Sequence, residues 1–199
     1  MIKLLIFDLG NVLLKYDDSQ YYEYVSKKYG FQYEKVASIM ERHETEMYTG
    51  RMKNSEFLHE VSKSLHIPVE KLEFEKYFIK KAKVNKGLLN FALSLKPRYK
   101  VVILTNVYRS RYKSMPLVFD KSPFDRVFAS CFIRMRKPSK NSYRYVLKKC
   151  KAKPEEAIFI DDRKENVAGA EKAGIKSILF RGNKSLFEKL SKFGINQVK

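Results

Sequence analysis

Four charged side chains of this 199-residue chain stand at positions where they could do chemistry together. Asp8 follows an apolar run of four residues, and the neighbouring Asp161 and Asp162 follow another. Lys137 precedes a proline and lies outside such runs. Carboxylates that lie close together repel one another unless a cation separates them, and their hard oxygen atoms suit Mg²⁺. Because a lysine beside such an ion suits a phosphoryl group, these residue types point to phosphate chemistry.

A parallel β-sheet would position these side chains. Short apolar runs that end in polar groups are typical of strands buried on both faces. The chain has five apolar runs, at residues 4–7, 100–106, 127–133, 157–162 and 176–180, and the first, second and fourth lead into polar groups. Helical spacing separates the later runs, so we predict an α/β fold with a three-layer, doubly wound parallel sheet. The carboxyl ends of its strands share one edge, which would bring Asp8, Thr105 and Asp161 together.

Residues 19–80 do not share this alternation of strands and helices. Their apolar residues recur at helical spacing, and glycines and a proline interrupt the pattern, so we predict about four short helices. This segment lies between the first strand and the rest of the sheet, which makes it an insert. We therefore predict an α/β core domain, residues 1–16 and 86–199, and a helical domain, residues 17–85.

The net charge of +19 is the most unusual feature of the composition. Lys and Arg outnumber Asp and Glu by 41 to 22, and they are spread along the chain with local clusters such as residues 109–113. No zinc-finger or RNA-binding aromatic signature accompanies them. We therefore expect solvated surfaces that attract small anions, and not a nucleic-acid partner.

The composition also predicts where the protein resides. No stretch reaches 18 apolar residues, and no three-part secretory leader is present, so neither a membrane span nor export is expected. Cys131 and Cys150 are the only cysteines, and both have apolar neighbours. We predict a cytoplasmic monomer or homodimer with reduced cysteines and no membrane partner.

Four motifs of the chain resemble those of the haloacid dehalogenase (HAD) superfamily of hydrolases, in the family's order. They stand at residues 8–12, 105–106, 137–138 and 161–166. The inserted helices are similar to the family's helical C1 cap, and the resemblance covers essentially the whole chain. It implies a Rossmann-like core and a phosphoryl transfer in two steps through a covalent intermediate.

The resemblance also implies a role for each residue of the predicted site. Asp8 would attack phosphorus as the nucleophile, and Lys137 would neutralise the charge that Asp8 shares with the phosphate. Thr105 and the backbone of Asn106 would bind the phosphoryl oxygens. Mg²⁺ would be held by the carboxylate of Asp8, the backbone carbonyl of Gly10, and Asp162, with Asp161 supporting it directly or through water.

The substrate implied by this chemistry is a small phosphate ester. Tyr48 and Arg51 surround a glycine of the insert that would face the site, although each could instead be a surface residue between helices. The other candidates for substrate binding are Asn11, Arg136 beside Lys137, and Asn166, which would also hold the fourth-motif loop.

Gly10 departs from the usual phosphatase motif, in which a second Asp stands two residues after the nucleophile. That Asp protonates the leaving oxygen and then activates water, and its loss typically costs about 10²–10⁴ in rate. The run Asp-Leu-Gly-Asn-Val is similar to a branch of the family that includes sugar-1-phosphatases, notably α-D-glucose-1-phosphatase. An anomeric leaving oxygen needs less protonation, which makes a sugar phosphate the candidate substrate.

Two alternatives to this Mg²⁺-dependent phosphatase remain. A non-catalytic or weakly active binding protein on the HAD scaffold is one, because Gly10 removes a catalytic group. A 2-haloacid dehalogenase is the other, since such enzymes attack carbon with the first-motif Asp, without a metal. The paired acids Asp161 and Asp162 favour a metal and therefore favour the phosphatase.

Overall fold

Five strands form a fully parallel sheet in the computed structural model, which describes residues 1–196. The described chain has the strands β1 (Leu4–Phe7), β2 (Leu14–Lys15), β3 (Lys83–Val84), β4 (Lys100–Thr105), β5 (Arg126–Ala129), β6 (Ala157–Asp161) and β7 (Lys176–Leu179). The parallel sheet has the order β5-β4-β1-β6-β7, whereas β2 and β3 form a separate antiparallel pair. The prediction of a doubly wound parallel sheet is confirmed.

The register of the central strand, β1, positions Asp8. Phe7 is level with Ile103 of β4 and with Ile160 of β6. The backbone N–H of Asp8 donates to the carbonyl oxygen of Ile160 at 2.8 Å. Asp8 therefore leaves the sheet beside the ends of both neighbouring strands, which is where parallel sheets form ligand sites.

Between β2 and β3 lies a helical block, defined here as residues 19–81. Its described helices are α1 (Ser19–Tyr29), α2 (Tyr33–Glu41), α3 (Glu44–Tyr48), α4 (Asn54–Leu65), α5 (Val69–Leu72) and α6 (Phe74–Lys81). The prediction of about four helices was too low. The additional helices, α3 and α5, have only five and four residues, too few to show a helical period in the sequence.

The helical block has its own apolar core, to which Tyr21, Val36, Phe57 and Phe74 contribute buried side chains. The antiparallel pairing of β2 with β3 brings the two ends of the block together. The predicted boundaries of the helical domain, residues 17–85, stay a prediction. Residues 197–199 of the predicted core domain lie outside the described residues.

The remaining helices cover both faces of the sheet. They are α7 (Lys86–Ser94), α8 (Arg109–Ser114), α9 (Ser130–Ile133), α10 (Lys140–Cys150), α11 (Lys164–Glu171) and α12 (Asn183–Ser191), with 3₁₀ turns at Met115–Leu117 and Pro154–Glu156. Alternate residues of β1 face opposite sides, so Leu5 and Phe7 join one apolar cluster and Leu4 and Ile6 another. Within residues 1–196, every helix lacks the length or the apolar composition that crossing a bilayer requires.

The apolar run 127–133 is only partly a strand, contrary to the prediction. Ala129 pairs with Thr105, which is the last residue of β4. β4 and its pairing with β5 end here, and the chain turns into α9 at Ser130. Periodicity alone could not show this, because a short apolar run fits a buried strand and a buried helix equally well.

Candidate active site

Lys137 lies between two carboxylates at the edge of the sheet. Its Nζ is 2.6 Å from Oδ1 of Asp8 and 2.7 Å from Oδ2 of Asp161. Lys137 is only 1% exposed. Burial disfavours its charged form, but the carboxylates of Asp161 and Asp8 outweigh burial and raise the pKa of Lys137. The side chain therefore stays an ammonium group whose charge water screens little.

The carboxylate of Asp161 is enclosed by donors. Its Oδ1 accepts hydrogen bonds from the backbone N–H of Arg163 at 2.9 Å and from Nδ2 of Asn166 at 3.0 Å. Its Oδ2 accepts from Lys137 and, at 3.1 Å, again from Asn166. The hydroxyl of Tyr143 donates to the carbonyl oxygen of Asn166 at 2.7 Å and fixes this residue in turn. Asp161 is thus placed to orient Lys137 and the loop after β6.

Asp8, Asp161 and Asp162 form a cluster in which one oxygen of each lies within 4.8 Å of the others. Burial raises the pKa of Asp8 to about 7, although the ammonium of Lys137 opposes the shift. Burial and the charge of Asp161 also raise the pKa of Asp162. Three carboxylates face the single ammonium group of Lys137, so the cluster can hold more negative charge than Lys137 balances. A hard divalent cation such as Mg²⁺ fits this donor set and would favour its ionised form.

Gly10 and Asn11 belong to the turn after β1, next to the carboxylate cluster. Asn11 has a φ of 53°, which Asn tolerates better than most residues, and its Nδ2 lies 3.3 Å from Oδ2 of Asp162. Gly10 needs no such conformation. A Cβ at Gly10 would meet the carbonyl oxygen of Tyr16 at 3.6 Å, which is an ordinary contact. Sterics therefore do not forbid a side chain at this position.

The end of β4 supplies Thr105 and Asn106. The side chain of Asn106 exchanges two 2.9 Å hydrogen bonds with the backbone of Lys137, one from its Nδ2 and one to its Oδ1. Thr105 is buried next to it. The loop that carries Lys137 is consequently fixed to the strand end that carries the predicted phosphate-binding residues.

A cavity of about 280 Å³ extends from the sheet edge to the helical block. This volume is near the lower end of the range of ligand pockets, about 300–1,000 Å³, and suits a small ligand. The cavity brings together nine of the predicted site residues: Asp8, Gly10, Asn11, Tyr48, Thr105, Asn106, Lys137, Asp162 and Asn166.

Arg136, predicted to bind substrate, contacts the helical block instead of lining the described cavity. Its Nη2 lies 2.9 Å from Oε2 of Glu44, and its Nη1 donates to the hydroxyl of Thr45 at 2.9 Å. Its guanidinium also lies 5.3 Å from the ring centre of Tyr48. These contacts connect the loop of Lys137 to α3.

Tyr48 and Arg51 lie close in sequence but differ in position. Tyr48 lines the cavity, and its hydroxyl donates to Oδ2 of Asp18 at 2.9 Å. Arg51 is exposed, and its Nε donates to the hydroxyl of Thr49 at 2.9 Å. Arg51 does not contribute to the described cavity wall.

The sequence did not reveal a second buried cation, Arg111, which also lines the cavity and is 5% exposed. Its Nη1 lies 2.9 Å from Oδ1 of Asp18, and its Nε lies 3.1 Å from Oε2 of Glu75. Aromatic rings surround the guanidinium, with centres 4.2–5.2 Å away, those of Tyr16, Phe74, Phe78 and Tyr108. Arg111 of α8 thereby ties the sheet-bearing part of the chain to α6 and to the start of α1.

No local signal in the sequence would have found this second centre. Arg111 belongs to the basic cluster 109–113, which we expected to be a solvated surface. Its partners Asp18 and Glu75 are far away in the chain and stand in no recognisable motif. The expectation of a solvated surface was therefore wrong for Arg111.

Comparison with known protein families places the chain in a family of hydrolases. A family model described as a haloacid dehalogenase-like hydrolase matches residues 2–174. This match covers all four predicted motifs and confirms the resemblance seen in the sequence. The sugar-1-phosphatase branch is not specifically supported by it.

Curated relatives match over shorter segments. Rat bifunctional epoxide hydrolase 2 is 30% identical over 115 residues, which are 55% of this chain and 21% of the relative. A sesquiterpene phosphatase of Aspergillus oryzae is 34% identical over 76 residues, 38% of this chain and 39% of the relative. The chain thus spans well under half the length of these relatives.

Solved structures match along nearly the entire chain. A HAD family enzyme of Bacteroides thetaiotaomicron, in complex with magnesium and inorganic phosphate, has a TM-score of 0.79 at 22% identity, covering 94% of this chain and 100% of that one. The L-2-haloacid dehalogenase of Xanthobacter autotrophicus has a TM-score of 0.63 at 18% identity, covering 96% and 83%. At these identities the likeness concerns the fold. Since the family model matches residues 2–174, which is most of the chain and includes the positions of all four motifs, the protein belongs to the haloacid dehalogenase-like hydrolases.

Proposed function

We propose that this hydrolase is a Mg²⁺-dependent phosphatase that acts on a small phosphorylated metabolite. The observation that carries the proposal is the buried Lys137 between Asp8 and Asp161, at one end of a cavity that also holds Asp162. A carboxylate nucleophile and an incoming phosphate dianion repel each other. A cation beside the carboxylate offsets this repulsion.

The reaction would proceed in two steps on Asp8. In the first step a carboxylate oxygen of Asp8 attacks phosphorus, the bond to the leaving oxygen breaks, and an aspartyl phosphate forms. In the second step water attacks this phosphorus, which releases inorganic phosphate and restores the carboxylate. Lys137 stabilises the negative charge in both steps, and Thr105 and the backbone N–H of Asn106 orient the phosphoryl oxygens.

The metal would be held by the carboxylates of Asp8 and Asp162 and by the carbonyl oxygen of Gly10. We propose a supporting role for Asp161, because donors from the protein already surround its oxygens. When bound, Mg²⁺ supplies positive charge that offsets the excess negative charge of the cluster and of the phosphate.

The helical block would act as the cap that closes over the substrate, with domain boundaries at residues 17 and 85. Tyr48, Asn11 and Asn166 contribute to the cavity wall and are the proposed substrate contacts. Arg136 would act indirectly by holding α3 over the site through Glu44. We propose no direct contact for Arg51, since it is exposed and bonded to Thr49.

Gly10 determines which leaving groups suit this site. Without a carboxyl group there, the leaving oxygen must depart with little protonation by the protein. Esters of acidic hydroxyls, such as aryl phosphates and sugar 1-phosphates, would therefore be hydrolysed faster than simple alkyl phosphates. The same residue motivates the second candidate, a weakly active protein that binds phosphate esters on this scaffold.

A panel of phosphate esters, assayed for phosphate release with Mg²⁺ and with EDTA, tests the proposal. We expect Mg²⁺-dependent turnover, fastest for aryl and sugar 1-phosphates. Release of chloride from a 2-haloacid without Mg²⁺ would instead favour dehalogenation. Binding of an ester without turnover would favour the second candidate.

Metal binding can be measured without turnover. Saturating Mg²⁺, at 100 times its dissociation constant, should raise the free energy of unfolding by about 2.7 kcal/mol. The Asp162→Asn variant should lose most of this gain. Equal stabilisation of both proteins would contradict the proposed metal site.

A further inference from the structure

Two buried polar atoms in the cavity wall lack a hydrogen-bond partner within the described chain: Nη2 of Arg111 and the hydroxyl oxygen of Tyr16. Both residues are 5% exposed. A buried donor without a partner typically costs about 1–3 kcal/mol, so such groups are rare unless something else bonds them. Their location in the same cavity as Asp8 suggests that a ligand supplies the missing partner.

The charges around Arg111 restrict what this ligand group can be. Its other two nitrogen atoms already contact Asp18 and Glu75, so two carboxylates face one guanidinium. Asp17 adds a further carboxylate to the same cavity wall. These carboxylates would repel a second anionic group of the substrate. An uncharged oxygen would not be repelled and could accept a hydrogen bond from Nη2 of Arg111.

Tyr16 complements Arg111 as a second donor. Burial raises the pKa of the Tyr16 hydroxyl, so it stays protonated, although Arg111 opposes the shift. The Tyr16 ring lies edge-on to Phe78, with ring centres 5.0 Å apart, and the guanidinium of Arg111 lies 5.0 Å from the Tyr16 ring centre. Both polar groups are thus held by packing, and neither needs to reorganise before it bonds a ligand.

We propose that Arg111 and Tyr16 form a recognition subsite that binds an uncharged oxygen, a hydroxyl or a carbonyl, in the leaving group of the substrate. This inference rests on the proposed phosphatase function and specifies its substrate class: small phosphate monoesters of neutral, oxygen-bearing alcohols. Esters with a second phosphate or a carboxylate are disfavoured, because Asp17, Asp18 and Glu75 repel them.

The Tyr16→Phe variant tests the subsite most cleanly. It removes only a hydroxyl that makes no hydrogen bond of normal geometry within residues 1–196, so its melting temperature should not fall. We expect kcat/KM for the best sugar monophosphate to fall about threefold to tenfold, the effect of one hydrogen bond. For phenyl phosphate, whose leaving group has no further oxygen, kcat/KM should stay unchanged.

Tyr21→Phe is the matched control. Tyr21 is also a buried tyrosine, but its hydroxyl donates to the carbonyl oxygen of Leu72 and does not line the cavity. This variant should lose stability while the ratio of the two kcat/KM values stays that of the parent. A third substrate, the corresponding sugar bisphosphate, should be hydrolysed more slowly than the monophosphate by the parent protein.

Two results would overturn the inference while leaving the phosphatase function intact: an unchanged ratio in Tyr16→Phe, or a preference of the parent for the bisphosphate. A parent protein that releases no phosphate from any of these esters, phenyl phosphate included, refutes the phosphatase function, and the inference fails with it.

Discussion

Two buried cations lie in the wall of one cavity, and each is held by two carboxylates. Lys137 contacts Asp8 and Asp161 at the edge of the sheet. Arg111 contacts Asp18 and Glu75 where the helical block meets α8. Both cations are buried, but the carboxylate side chains at Lys137 are 9% and 0% exposed, whereas those at Arg111 are 19% and 22% exposed. The elements that the ion pairs join are also different.

The surroundings of the two cations explain their different roles. Both carboxylates at Lys137 lie at strand ends, and one of them, Asp8, lines the cavity. The ammonium is thus available to a reacting phosphate. At Arg111 only Nη2 lacks a hydrogen-bond partner among the described residues, and aromatic rings enclose the group. We therefore propose that a buried cation between two acids serves chemistry at one end of the cavity, and recognition and attachment of the helical block at the other.

Replacement of Lys137 should have the largest effect. In Lys137→Met the carboxylates of Asp8 and Asp161 lose their counter-charge, so we expect about 3–5 kcal/mol less stability in EDTA, measured by urea unfolding. Phosphate release should fall at least about 10²–10³-fold, because a charge-stabilising group is lost. Lys140→Met, a change of a nearby exposed lysine, should leave both quantities near those of the parent. A Lys137→Met enzyme with nearly normal kcat would contradict the role assigned to this cation.

Replacement of Arg111 separates the two centres. Arg111→Met leaves two carboxylates unpaired, so a similar loss of stability, about 3–5 kcal/mol, is expected. Its effect on phosphate release should appear mainly in KM, with kcat for phenyl phosphate retained, at a temperature where the variant is folded. The exposed Lys113 of the same helix provides the control, Lys113→Met. If kcat fell as far as in Lys137→Met, the distinction between the two centres would be lost.

A carboxyl group added at Gly10 changes the chemistry at the Lys137 end alone. A Cβ is sterically acceptable there, so Gly10→Asp should fold and supply the missing acid. Hydrolysis of alkyl phosphates should rise by about 10² or more, while aryl phosphates change little. Gly10→Asn has the same shape without the acid and should show no gain. An Asp variant no better than the Asn variant on alkyl esters would refute our account of Gly10.

Replacement of Arg136 should have the smallest effect on stability, in contrast to replacement of Arg111. It also joins the sheet-bearing part to the helical block, but its side chain is 23% exposed, and its carboxylate partner in the described chain, Glu44, is 31% exposed. Arg136→Gln should therefore cost only about 0.2–1 kcal/mol of stability, as exposed ion pairs do. Urea unfolding beside Arg111→Met measures the difference. Equal losses would mean that burial does not distinguish the two contacts.

The difference between the two centres also shows what the sequence could predict. Asp8 directly follows a buried strand, and Thr105 and Asp161 each end one. Parallel register alone brings strand ends together, so the meeting of these residues was predictable. The residue at which β5 ends was not predictable, because it depends on where the neighbouring strand β4 ends.

The Arg111 centre depends on tertiary contacts alone. Residues 18, 75 and 111 lie on separate elements, and nothing in their spacing shows that the helical block folds back onto α8. Arg136 illustrates the same limit. Its position beside Lys137 suggested substrate binding, whereas in the structure its guanidinium donates to Glu44 and Thr45.

The identity of Asp8 as the nucleophile is the central claim, and acid quenching during turnover tests it directly. The parent protein and Asp8→Asn would be mixed with Mg²⁺ and the best ester, carrying a radiolabelled phosphoryl group, and quenched within the first turnover. We predict label on the peptide that contains Asp8 in the parent, and neither label nor phosphate release above background in Asp8→Asn. Phosphate release at the parental rate by Asp8→Asn, or label on another residue, would contradict the account.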